Sequence, residues 1–193
     1  GTVLLGLLGV AALYALARAF VSPRAGALAV VLWTITPLML FFERMALSDP
    51  RLAASGVVTV WIAWRLMRSD REFWALMLSG ALFATILMKA SGIGWLPLPL
   101  VAVSLASGWT MRRRLTLSAI SYGAFGAVFG AFLLAMKVRG FDYRIYLGQS
   151  SHLLGHLDAG LADRLTRNIS DAWAIDLAYT GLPVLVLAVL GGL

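Results

Sequence analysis

Long apolar runs, separated by short charged turns, decide what this chain can fold into. A helix that crosses the hydrocarbon core of a bilayer needs about 20 mostly apolar residues, with about 17 to 25 tolerated. By that measure the chain holds seven such runs, at 2–20, 25–42, 51–67, 73–89, 93–111, 115–136 and 175–193. The fold expected is all-α: a polytopic transmembrane bundle with one further helix lying on its outer face. Charge supports this, because 13% of the residues are charged where a soluble domain carries roughly 25%. Both ends of the chain lie inside apolar runs, so 1–193 reads as a single transmembrane domain and an internal piece of a longer protein.

Individual residues refine the spans. The third is the shortest and relies on Arg65 reaching out to the surface. The fifth contains Pro97 and Pro99, which predict a kink or a re-entrant segment, since neighbouring groups can satisfy the carbonyls that proline frees. The sixth contains Gly123, Gly126 and Gly130. The Gly126/Gly130 pair has the small-xxx-small spacing of close helix packing. It follows no strand and lies within an apolar run, so it is not a phosphate loop.

The net charge is +7. The basic residues gather in the turns, which is how membrane proteins encode orientation, and no basic-aromatic interleaving or zinc-finger spacing points to nucleic acid. Alternate short turns hold Arg18 and Arg24, then Arg65, Arg68 and Arg71, then Arg112, Arg113 and Arg114; the opposite side holds Arg44, Arg51 and Lys89. The first set is expected in the cytoplasm, which puts residues 43–50, Lys89 and the long segment 137–174 on the outer, periplasmic or lumenal, face. That segment holds five more basic residues and levels the raw count, but the rule weights short loops. The chain has no cysteine, which excludes disulfides, thiolate metal sites and cysteine nucleophiles.

Within 137–174, Leu153, Leu154, Leu157, Leu161, Leu165, Ile169 and Trp173 recur mostly in steps of three and four. That spacing predicts an amphipathic helix lying on the membrane surface. His152 and His156 share one side of it, but the glutamate of the zinc-binding H-E-x-x-H pattern is missing. Interfacial histidines are the plainer reading. Asn168-Ile169-Ser170 matches the acceptor pattern for N-glycosylation.

The stretch richest in chemistry is Phe42-Glu43-Arg44-Met45-Ala46-Leu47-Ser48-Asp49-Pro50. It sits where one span leaves the membrane and the next begins. Charges at that boundary are functional candidates. The plainer reading is a solvated turn in which Asp49 caps the next helix and Pro50 takes its first position.

The order of these features resembles a known family. Arg18-Ala19-Phe20-Val21-Ser22-Pro23-Arg24-Ala25-Gly26 leads into a helix that ends Thr-Pro-Leu-Met-Leu-Phe-Phe-Glu-Arg-Met-Ala-Leu-Ser-Asp-Pro, at Pro50. A span, a basic turn and a helix ending Leu87-Met88-Lys89-Ala90-Ser91-Gly92 follow. This looks like the polytopic glycosyltransferases of the protein mannosyltransferase and aminoarabinose transferase type (glycosyltransferase family 39), which have the GT-C fold. The resemblance covers residues 1 to about 136.

The resemblance implies a multi-pass enzyme of the plasma or inner membrane, or of the endoplasmic reticulum. It would move a sugar from a polyprenyl- or dolichyl-phosphate carrier to a protein or lipid acceptor on the outer face. The family's best-known acids lie in its first outer loop, expected ahead of Gly1. Asp49 matches a second family acid, used near the donor phosphate or a divalent metal. Arg44 matches the basic residue of an Arg-x-x-x-x-Asp pattern, and Lys89 the lysine that often ends a later span. Arg44 would fork around phosphate, and Lys89 would act as a point charge or reach to the interface. Asp49 would hold a divalent metal through oxygen or orient Arg44. Glu43 stands beside Arg44 as a substrate-side residue or faces water.

Two other classes compete: a transporter, and a membrane assembly protein without chemistry. Transporters set their charges near the bilayer midplane, whereas here the middles of the spans are nearly free of charge.

Overall fold

The computed structural model describes residues 2–36 and 48–141. Among them are six α-helices and one 3-10 helix: α1 (Thr2–Phe20), α2 (Pro23–Ile35), α3 (Ser48–Ser69), α4 (Glu72–Met88), the 3-10 turn Ala90–Trp95, α5 (Leu98–Leu105) and α6 (Met111–Val138). The described residues are thus all-α, as the apolar runs predict.

The first run is helical over the expected length. The second is shorter than expected. Its start is fixed by Ser22, whose hydroxyl accepts from the Ala25 N–H at 3.1 Å, with Pro23 in the first turn. Its end is Ile35, and Thr36 is extended. Proline at 37 explains this, because a residue before proline is pushed out of the helical region. The helix therefore does not run unbroken from 25 to 42. At 13 residues and about 1.5 Å per residue it is about 20 Å long, well short of a bilayer core. α3 and α6 overrun their predicted ends on both sides.

The fifth run does break, and the structure shows how. Lys89 turns extended, Ala90–Trp95 winds as a 3-10 helix, Pro97 precedes α5, and α5 has 8 residues. The segment nevertheless recrosses the bundle. Lys89 lies at the far end of α4, whereas Arg114, just after α5, donates to the carbonyls of Ser104 and Ala106 at the end where α4 begins. It is a kinked crossing and not a re-entrant loop.

Of the described helices, 3–20 and 111–138 are long and apolar enough to cross a membrane. α3 has the length but carries Asp49, Arg51, Arg65 and Arg68 near its ends. The seventh run and the amphipathic segment, with its histidine pair and its glycosylation pattern, lie outside the described residues.

Packing is inside-out relative to a water-soluble bundle. The core unites Ile62, Leu66, Leu78, Leu82, Val103 and Leu117, but Ser55, Thr59, Ser79, Thr85, Ser118 and Ser121 are buried with them. Large apolar side chains meanwhile point outward on α1, α2, α4, α5 and α6, from Val3 at 78% exposed to Val138 at 79%, and not on α3. Interiors of small and hydroxylated residues with apolar exteriors suit helices that associate in lipid.

Small residues let the helices close up, though not where the sequence spacing suggests. A Cβ on Gly126 or Gly130 would meet no described atom within 4 Å. The close approaches are at Gly9, facing Ala54, at Gly26, facing Tyr14, and at Gly56, facing the Trp95 indole. Among the described residues, then, nothing packs against Gly126 or Gly130, whereas Gly9 and Gly56 sit in close contacts.

Candidate functional site at the Asp49 and Lys89 end of the bundle

The helix directions divide the charges between two ends. α1 and α3 finish at one end and α4 and α6 begin there, so Arg18, Arg65, Arg68, Arg71, Asp70, Glu72 and Arg112–Arg114 gather together. The start of α3, the end of α4 and the end of α6 form the other end, with Asp49, Arg51, Lys89, Lys137 and Arg139. No charged residue lies in the apolar stretches between.

The first end is organised around Arg113. Its Nε donates to the Asp70 carboxylate at 2.7 Å, Nη1 to Glu72 at 2.9 Å and Nη2 to the Asp70 carbonyl at 2.9 Å. Asp70 is held at φ 49°, in the left-handed region. The clamp ties the turn between α3 and α4 to the first turn of α6. Both carboxylates of this end serve structure.

At the second end Asp49 is the second helical residue of α3 and Pro50 the third. The helix thus starts one residue before the cap position that the sequence suggests. Pro50 still falls in the first turn, where a missing N–H breaks no intrahelical bond. A carboxylate in that turn complements the positive end of the helix dipole, while Arg51 beside it opposes the dipole. The side chain of Asp49, and the whole of Glu43 and Arg44, lie outside the described residues.

Lys89 stands at the hinge where α4 stops. It is extended, exposed and followed by a fold-back onto α4. Gly92 makes that fold-back possible: its N–H donates to the Lys89 carbonyl at 2.8 Å, and a Cβ there would sit 2.5 Å from the Thr85 carbonyl oxygen. The Lys-Ala-Ser-Gly ending is therefore a geometric unit that presents a lysine at the mouth of the bundle. The antiparallel α3 and α4 bring Asp49 and Lys89 to the same end, although 39 residues of chain lie between them.

Arg51 is a residue that sequence reasoning did not single out. It is half-buried with its Nε sealed from solvent, and neither it nor Lys89 is a free cation. Its signal in the sequence is an arginine in a helix's first turn, against the dipole. Among the described residues no group of three or more His, Asp or Glu side chains is placed to hold a metal.

No curated protein and no solved structure matches the chain. The model of the dolichyl-phosphate-mannose-protein mannosyltransferase family matches residues 1–136. That stretch takes in the turns and helix ends from Arg18 to Gly92, the hinge at Lys89 and most of α6. By this match the chain belongs to the dolichyl-phosphate-mannose-protein mannosyltransferase family of membrane glycosyltransferases.

Proposed function

We propose that the enzyme containing this chain transfers a sugar from a polyprenyl- or dolichyl-phosphate carrier to a protein or lipid acceptor, at the end of the bundle that holds Asp49 and Lys89. The observation that carries this reading is the convergence of Asp49, Arg51 and Lys89 on one end of a bundle whose interior is free of charge. That end is the outer, periplasmic or lumenal, face of a multi-pass protein.

The chemistry follows from the leaving group. As the acceptor oxygen attacks the anomeric carbon, the bond from that carbon to the carrier phosphate breaks, and its electron pair goes to the phosphate oxygen. Fixed cations aimed at that oxygen stabilise the transition state more in a water-poor site than they would in bulk water. Arg44 supplies a fork matched to phosphate, and Lys89 a compact charge. Asp49 keeps Arg44 oriented through a charge-assisted hydrogen bond, and Glu43 lines the substrate side. None of the four is assigned as the base; the acceptor hydroxyl's proton passes to the family acid of the first outer loop. A divalent metal would take Asp49 as an oxygen ligand. The described residues at this end add no second carboxylate and do add four cations, Arg51, Lys89, Lys137 and Arg139, so they fit a metal poorly and the leaving charge is assigned to the cations.

The test is sugar transfer from a polyprenyl-phosphate donor, measured in membranes with expression checked in parallel. Asp49→Asn keeps the shape and removes only the carboxylate's contribution at the positive end of the helix, about 0.3–1 kcal/mol. The expected result is a loss of about a hundredfold or more, the size of one electrostatic transition-state contact. Arg44→Lys, which keeps charge but removes the fork, is expected to fall as well. Full activity of Asp49→Asn at normal expression would reduce this stretch to a turn with a well-started helix.

A further inference from the structure

At the opposite end of the bundle, between the last turns of α1 and α3, lies a cavity of about 390 Å³. Tyr14, Trp61 and Trp64 wall it, and Arg18 and Arg65 stand at its rim. Phe20 packs edge-on against Trp64 at 6.1 Å. The Arg65 guanidinium lies 5.0 Å from the ring centre of Trp74 and 6.0 Å from that of Trp61. Two features make this more than a solvated basic turn.

The first is an unbalanced charge. Asp70 and Glu72 both pair with Arg113, and no carboxylate among the described residues pairs with Arg18 or Arg65. A guanidinium packed over an indole keeps its N–H edge for an oxyanion, and that edge forks around phosphate. The second feature is the wall. Indole and phenol rings settle at the headgroup level of a bilayer, and the neighbouring Phe20 and Val21 are 66% and 62% exposed. A free phosphate ion would gain nothing from aromatic walls. A phosphodiester with a glycerol and acyl stem would use both cations and rings.

We infer that this cavity binds the headgroup of an anionic phospholipid from the adjacent leaflet, its phosphate on Arg18 and Arg65 and its glycerol-acyl stem against Tyr14, Trp61 and Trp64. The site is distinct from the sugar-transfer end and does not depend on that assignment. Its volume falls within the range of small-molecule pockets, about 300–1,000 Å³.

The experiment uses the full-length protein in phosphatidylcholine vesicles. Phosphatidylglycerol brominated on its acyl chains is titrated in, and quenching of tryptophan fluorescence is followed. Brominated phosphatidylcholine is the neutral comparison. Quenching is expected at a lower mole fraction of the anionic lipid. Each basic residue near a membrane surface contributes about fivefold in affinity for anionic lipid. Arg18→Gln with Arg65→Gln should therefore weaken the preference by about twenty-five-fold. Arg18→Lys with Arg65→Lys, which keeps the charge without the fork, should keep only part of it, and Arg112→Gln, a cation of the same end outside the cavity, should cost no more than the roughly fivefold of one surface charge. The inference fails if the double glutamine variant keeps the preference, or if Arg112→Gln loses as much. It also fails if inorganic phosphate in millimolar excess abolishes the quenching, which would make this an ion site and not a lipid site.

Discussion

Thr59 and Thr85 are both fully buried, with their hydroxyl oxygens 3.1 Å apart. Each hydroxyl also lies 2.7 Å from a carbonyl of its own helix, Ser55 for Thr59 and Ala81 for Thr85. Two protons serve three contacts, so the hydroxyl that reaches across shares its proton between its own carbonyl and the other hydroxyl. The pair thus fixes the register of α3 against α4 near the middle of an apolar interface, and with it the alignment of Asp49 and Lys89 one turn and more beyond. Hydrogen bonds between membrane helices average about 0.6 kcal/mol in double-mutant cycles, with a maximum of about 1.7. A Thr59→Val and Thr85→Val cycle, read by unfolding in detergent micelles, should give a coupling within that range. Strictly additive single effects would show that the two hydroxyls act independently. Elsewhere in the core, Ser79 donates to the Ser121 carbonyl at 2.7 Å, and the Tyr122 hydroxyl donates to the Leu96 carbonyl at 2.7 Å. These contacts cross helices that the hydropathy pattern treats as uniform grease.

At the scale of elements, glycine positions decide which helices meet. On Gly56 a Cβ would stand 2.6 Å from a carbon of the Trp95 ring. α3 therefore lies against the kinked Ala90–Trp95 segment with no space to spare. Gly56→Leu should destabilise the fold by about 1–3 kcal/mol, the usual effect of overpacking, and Trp95→Leu in the same chain should recover part of the loss. Gly126→Ala meets no described atom and should be neutral or mildly stabilising, since alanine favours a helix interior by roughly 0.5–1 kcal/mol over glycine. Equal losses at positions 56 and 126, measured by the same unfolding assay, would show that α6 is as closely packed as α3. The sequence makes Gly126 and Gly130 look like the contact because their spacing is regular. Gly56 and Gly92 lack a repeat, and their partners, Trp95 and the Thr85 carbonyl, are visible only after the chain has folded back on itself at Lys89.

Over the whole molecule the helices sort the charged turns to two ends. Arg68 and Arg112–Arg114 share one end; Asp49 and Lys89 share the other. The excess of arginine in the short turns of the first end predicts that it faces the cytoplasm. Single cysteines at positions 68 and 112, in an otherwise cysteine-free background, should label from the cytoplasmic side. Cysteines at 48 and 151 should label from the outer side. Labelling of 48 and 68 from the same side would contradict the crossing of α3, and labelling of 151 from the cytoplasm would invert the orientation.

Hydropathy alone determined that the chain is helical, where most turns fall, and that charge avoids the middles of the runs. These follow from transfer energetics summed over about 20 residues, a quantity local in sequence. Motif spacing also marked Asp49 and Lys89, and proline placement marked the break in the fifth run. Only the tertiary structure decided that this break is a kinked crossing, that Arg113 consumes Asp70 and Glu72, and that Arg18 and Arg65 open onto an aromatic cavity. The last two depend on contacts between residues more than 40 positions apart. Such contacts are set by side-chain volume and hydrogen-bond geometry between helices, and no window along a single strand of sequence contains them.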